Sequence, residues 1–182
     1  RRRRARSPAR GTPRGQHLNG GFEAPEDKFS NWVVLYHPHD YKSADLVYRE
    51  WKETHFLRDG DRTGLRAPGS PGIGYLRFDP GLPKIARRVV EGLAADTTFR
   101  LTAWVRQEAG ATARLVAYGF DQADPGAERG ATTDRAGAWV RLGVDFRTRR
   151  CVAGVDSWVV ISLETDGRST SCWDDVTLEP LP

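Results

Sequence analysis

The sequence predicts an all-β domain, a sandwich or a barrel, on three observations. Several segments alternate apolar and polar residues at period two, the pattern of a strand with one buried face. Nineteen Gly and eleven Pro in 182 residues put turn signals between those segments. No amphipathic pattern long enough for a helical bundle competes with them, and 182 residues suffice for one domain with its own core.

Residues 74–78, GYLRF, and 84–90, KIARRVV, are strand candidates separated by Pro80 and Pro83. Residues 99–106, FRLTAWVR, set Phe99, Leu101, Ala103 and Val105 against Arg100, Thr102, Trp104 and Arg106. Residues 112–120, TARLVAYGF, follow after a short loop, so the two read as a hairpin. Residues 138–146, AWVRLGVDF, make another strand with Val140, Leu142, Val144 and Phe146 on one face. Residues 157–163, SWVVISL, and 171–178, SCWDDVTL, flank Asp166-Gly167 and read as a second hairpin. Residues 43–53, SADLVYREWKE, fit either a short helix capped by Ser43 or an irregular strand. Trp32 and Trp139 read as core packing.

The net charge of +4 belongs to one end. Residues 1–16 carry seven Arg and no acid, and removing seven positive charges leaves the rest at −3. With almost no apolar residues, 1–17 is expected to be a disordered Arg-rich tail or linker, and 18–182 the folded domain. Nucleic acid could be held only through that tail. No apolar run approaches the roughly 20 residues of a membrane-spanning helix. Cys151 and Cys172 permit one disulfide or two buried thiols. His37 and His39 lack the further ligands of a zinc site and read as loop residues.

Two positions stand out by alternation. In SCWDDVTL, Asp174 falls in phase with Val176 and Leu178, so a core-facing Val176 would turn Asp174 inward. A buried carboxylate needs a cation or hydrogen bonds. In FRLTAWVR, Trp104 sits on the polar face with Thr102 and Arg106, where an indole suits stacking on a sugar ring. Near the start, LNGGFE puts two glycines before Phe22 and Glu23, and LRDGDRTG offers Asp59 and Asp61 around Gly60; both are oxygen-rich sets of the kind calcium prefers.

LNGGFE, the NW at 31–32, DGDRTGLR, FRLTAWVR, AWVRLGVDF and WDDVTLEP occur in the order seen in carbohydrate-binding modules. Over residues 18–181 the chain resembles the modules of families 4, 9 and 22, jelly-roll β-sandwiches of two antiparallel sheets in the galactose-binding-like superfamily. The resemblance implies a non-catalytic module that binds polysaccharide or oligosaccharide by aromatic stacking on a concave sheet face. It implies Trp104 and Arg106 as carbohydrate contacts, with Phe146 as a second stacking ring, although alternation puts Phe146 on a core face. Tyr118 and Trp51 are further candidates without motif support. It also implies a structural calcium ion held by Gly21, Glu23, Asp174 and a loop residue, Asp59 or Asp61. A monomeric, secreted or extracellular module, ancillary to a larger enzyme, is the expected setting. A structural or protein-interaction sandwich without a sugar site is the alternative. The sequence shows no nucleophile–base motif, phosphate loop or metal-binding His cluster that would point to an enzyme.

Overall fold

The computed structural model describes residue 22 and residues 32–36, 54–58, 60–149 and 157–182. Ten strands run in chain order: β1 (Val33–Tyr36), β2 (Thr54–Leu57), β3 (Tyr75–Phe78), β4 (Lys84–Leu93), β5 (Thr98–Gln107), β6 (Ala113–Tyr118), β7 (Glu128–Thr133), β8 (Trp139–Arg147), β9 (Ser157–Thr165) and β10 (Ser171–Pro180). One helical turn, α1 (Gly60–Thr63), lies between β2 and β3 and contains Asp61. The strands form two five-stranded antiparallel sheets, β1-β4-β9-β6-β7 and β2-β3-β10-β5-β8. The architecture is an all-β jelly-roll sandwich.

The inner faces meet in one apolar core, the layer that the alternation of each strand dictates. β5 contributes Phe99, Leu101, Ala103 and Val105, and β8 contributes Leu142, Val144 and Phe146. From the other sheet come Leu115 and Ala117 of β6 and Val159, Ile161 and Leu163 of β9. Phe22 and Trp32 join them, with ring centroids 5.7 Å apart. Phe22 itself adopts a left-handed backbone, at φ 53°.

Both expected hairpins are corrected. β5 and β6 lie in different sheets, and so do β9 and β10. Each short loop arches from one sheet to the other, and the two arches bond to each other. Asp166 N–H donates to Thr112 O at 3.1 Å, and Thr112 N–H to Asp166 Oδ2 at 3.0 Å. Glu108 N–H donates to Thr170 O at 3.1 Å. Period-two alternation is the same for a strand in either sheet, so it cannot distinguish an arch from a hairpin.

The inward orientation of Asp174 is corrected as well. Asp174 is fully buried, yet it pairs with Trp104 and so shares the outer face of its sheet. Trp173, opposite Val105, fills the core, and so does Val176. A bulge between Asp174 and Thr177 inserts one residue, with Asp175 at φ 52°, and shifts the phase of the strand. Residues 23, 37–53, 59 and 150–156 lie outside the described residues, and with them the ambiguous segment 43–53, His37, His39, Trp51 and Cys151.

Candidate functional site

The sandwich has two outer faces. On β2-β3-β10-β5-β8 the register aligns His55, Arg77, Cys172, Arg106 and Trp139 in one row across the strands. The next row runs through Tyr75, Asp174, Trp104 and Arg141. Much of this face is covered. Tyr75 and Asp174 are buried, and Ala67 N–H donates to Asp174 Oδ2 at 3.1 Å, so the segment after α1 lies over it. Asp175 N–H donates to Asp174 Oδ1 at 2.6 Å. Burial pushes the Asp174 carboxyl up to about 6, against the opposite pull of the bonds from Ala67 and Asp175 and of Ser70. The buried Ser70 hydroxyl makes no well-aligned hydrogen bond.

Trp104 is half-buried beside this covered region, and Arg106 lies two residues further along the same face. Trp139 is also half-buried and sits opposite Arg106 rather than in the core, a correction that its own alternation with Val140 and Leu142 explains. Thr102 Oγ1 and Thr177 Oγ1 are 2.9 Å apart across the strands, and Arg141 Nη2 donates to Thr102 Oγ1 at 3.2 Å. Beyond the covered region a cleft of about 300 Å³ opens between Arg77, Cys172 and Arg106, rimmed by Leu65, Asp79 and Glu108. Asp79 accepts from His55 at 2.8 Å and pairs with Arg77 at 2.8 Å. Cys172 is an unbridged thiol, and burial pushes it up to about 12, which keeps it protonated and poorly nucleophilic.

On β1-β4-β9-β6-β7, Val160 lies between Val89 and Tyr118 in register, and Trp158 stands two residues away along β9. Val89 is 56% exposed and Trp158 36% exposed. The Trp158 ring rests on Gly119, where an added Cβ would meet the ring at 2.2 Å. The glycine, at φ 73°, is what lets the indole lie against the β6 exit. The Arg87 guanidinium sits over the Tyr118 ring at 5.4 Å. Burial, outweighing Arg87, raises the Tyr118 phenol above its ordinary range, so its hydroxyl stays a donor. Arg114 pairs with Glu128 on the neighbouring strand and with Glu164 at 3.5 Å.

The structure therefore divides the residues that the sequence singles out. Trp104 and Arg106 share one face, while Tyr118 lies on the opposite one. Phe146 is withdrawn from any surface: it is 3% exposed, stacked on Phe99 at 6.0 Å and packed on Phe120 at 5.0 Å. Alternation alone placed it there. Of the calcium set, Asp174 is described, whereas Gly21, Glu23 and Asp59 lie outside the described residues. No group of three or more His, Cys, Asp or Glu that could hold a metal occurs among the described residues. Trp158 was missed because strand alternation inside SWVVISL reads equally well with either face inward; the adjacent Tyr118-Gly119 signals an exit, not an indole lying on it.

No family model and no curated protein sequence matches the chain. Its fold is similar to solved structures. A family 61 carbohydrate-binding module in complex with β-1,4-galactotriose superimposes with a TM-score of 0.60 at 18% identity, over 92% of this chain and 99% of the other. A family 4 module does so with a TM-score of 0.53 at 18% identity, over 90% and 98%. A cyclase from Fischerella sp. TAU has a TM-score of 0.57 at 14% identity, over 92% and 97%. The jelly-roll fold is thus similar to that of these two carbohydrate-binding modules and of this cyclase.

Proposed function

We propose that the protein is a non-catalytic carbohydrate-binding module that takes a polysaccharide or oligosaccharide chain on the outer face of β4, β9 and β6. The carrying observation is Trp158, whose ring is backed by Gly119 and flanked by Val89, Val160 and Tyr118. An indole supported from below can stack on the C–H face of a pyranose at small entropic cost, because it is already held in place. Arg87, the Tyr118 hydroxyl and Glu128 supply donors and acceptors at the edge of this patch. Trp104 is half-buried beside the covered Asp174 on the other sheet.

A non-catalytic role is supported by the side chains that the cleft assembles. His55 and Asp79 form a pair, but Arg77 also holds that carboxylate, and Cys172 is kept as a thiol. Nucleophilic catalysis needs an ionisable nucleophile with a free base.

The calcium reading also belongs to this proposal. Asp174 is buried with no Lys or Arg in ion-pair range among the described residues, beside a Ser70 oxygen that lacks a well-aligned partner. Two hard oxygens of this kind fit calcium better than a softer metal. Asp174 would hold the ion together with Glu23, the Gly21 carbonyl and Asp59. Bound there, it would neutralise the carboxylate and tie the chain's beginning to β10.

The test is affinity electrophoresis through gels containing galactan, xylan or β-glucan. Trp158→Ala should lose at least ~10-fold in affinity, about 1.4 kcal/mol, while Trp104→Ala should change it little. Retardation that survives Trp158→Ala and vanishes in Trp104→Ala would transfer the site to the other face. No retardation of the wild-type chain by any of these polysaccharides would sink the carbohydrate reading.

A further inference from the structure

Beside the Trp158 ring, the outer face of β4, β9 and β6 exposes aliphatic surface. Val89, Val160 and Tyr118 lie side by side in register, so their row spans two strand spacings, about 10 Å. Trp158 stands two residues along β9 from Val160, about 7 Å away. Val89 is 56% exposed and Val160 is half-buried. A ligand hydroxyl set down on these methyls loses its water and finds no partner, which costs free energy. A ligand methyl set down there gains by burial.

Next to this patch stand two donors without an acceptor. Arg87 has no acid in ion-pair range among the described residues, and its Nε is buried with no hydrogen-bond partner. Its guanidinium sits over the Tyr118 ring at 5.4 Å. The Tyr118 hydroxyl, kept protonated, makes no hydrogen bond among the described residues. The carboxylates nearby are already engaged. Arg114 lies against Gly130, where an added Cβ would meet its Nε and Nη2 at 3.2 Å, and it pairs with Glu128 and with Glu164 at 3.5 Å. The Ser162 hydroxyl also donates to Glu164 Oε1 at 2.9 Å. The open hydrogen-bonding capacity therefore calls for an acceptor on the ligand.

Charge decides which acceptor. Arg87 and Arg114 balance Glu128 and Glu164 across the face. Burial, together with Glu164 and Glu128, outweighs Arg87 and raises the Tyr118 phenol. The surroundings that disfavour a phenolate there disfavour a ligand carboxylate as well. A neutral carbonyl meets no such penalty.

We infer that the Trp158 face selects an acetylated sugar, with the ring on Trp158, the acetyl methyl on Val89 and Val160, and the acetyl carbonyl accepting from Arg87 and Tyr118. The inference rests on the carbohydrate reading and adds the substituent which that reading leaves open. An acetamido group and an acetyl ester share this chemistry, since each joins a methyl to a neutral carbonyl.

The experiment titrates the full chain calorimetrically with matched pairs of β-1,4-linked trisaccharides. Triacetylchitotriose is set against cellotriose, which carries hydroxyls in place of the acetamido groups, and O-acetylated xylotriose against xylotriose. Trigalacturonate is the acidic probe. The acetylated member of at least one pair should bind ~5-fold tighter or more, and the pair that shows it assigns the amide or the ester. Val89→Thr and Tyr118→Phe should each bring that ratio at least ~2-fold closer to one, and Trp158→Ala should lose both members of the pair. Thermal melts show whether each variant is folded; Val89 and Tyr118 serve different parts of the acetyl group, so one variant keeps the test valid if the other is not. Equal binding within both pairs overturns the inference and leaves the module reading standing, as does a ratio unchanged in both Val89→Thr and Tyr118→Phe. Tighter binding of trigalacturonate than of either acetylated trisaccharide overturns the choice of a neutral carbonyl. Failure of every saccharide refutes both readings.

Discussion

Asp174 is the residue whose chemistry is most exposed to test. Its folded-state carboxyl sits at about 6, against about 3.9 in an unfolded chain. Below about pH 4 both states hold the proton and the residue is neutral to stability. Between about pH 4 and 6 the unfolded chain releases its proton while the folded one keeps it, so folding loses stability as pH rises. The loss levels off above about pH 6 at roughly 3 kcal/mol. A bound calcium ion reverses this, because it holds the carboxylate ionised in the folded state. Thermal melts in chelator should therefore fall between pH 4 and pH 7, and melts with calcium should not. Asp174→Asn should raise the melting temperature in chelator at pH 7 and abolish the response to calcium. Melts that are identical with and without calcium at pH 7 would remove the ion from the account. The sequence marked this residue correctly as a buried acid, but for a reason that the bulge overturns: one inserted residue at Asp175 moves it to the outer face, where Ala67 covers it.

At the scale of elements, the arches carry the consequence. Gly167 sits at φ 75°, and a Cβ there would come within 2.4 Å of Leu82 O and 2.6 Å of Gly81 O. Its carbonyl also accepts from Gly81 N–H at 2.8 Å, tying the β9–β10 arch to the turn before β4. Gly167→Ala should destabilise the protein by about 2 kcal/mol or more, through both strain and the displaced turn. A shift in the urea midpoint measures it; a midpoint unchanged within error would mean that the arch can relax freely. The strands themselves were largely legible from alternation, as with Phe99 to Val105 and Val140 to Phe146. Their partners were not. β7 escaped notice because ERGATT carries few apolar residues and none of its positions is fully buried, so no period-two signal forms. β1 and β2 are short and depend on pairing with β4 and β3, which a local pattern cannot report.

For the whole molecule, the sandwich matters because it separates two chemistries. One outer face presents Trp158 over Gly119 beside Val89 and Tyr118, and the other presents a charged cleft around Arg106. The family resemblance read from LNGGFE and WDDV pointed to the right fold, yet Tyr118 and Trp104 could be grouped together as sugar contacts only while the sheet of each was unknown. Sheet membership is a property of long-range pairing, and it decides which aromatics can share a ligand. The most direct test of the central claim is amide and indole chemical-shift mapping of the full chain during titration with galactotriose or a xylo- or gluco-oligosaccharide. Perturbations should centre on the Trp158 indole N–H, Gly119, Tyr118, Val89 and Val160, with Trp104 unmoved. Saturable shifts confined to the Trp104 side, or none with any of these sugars, would contradict the account.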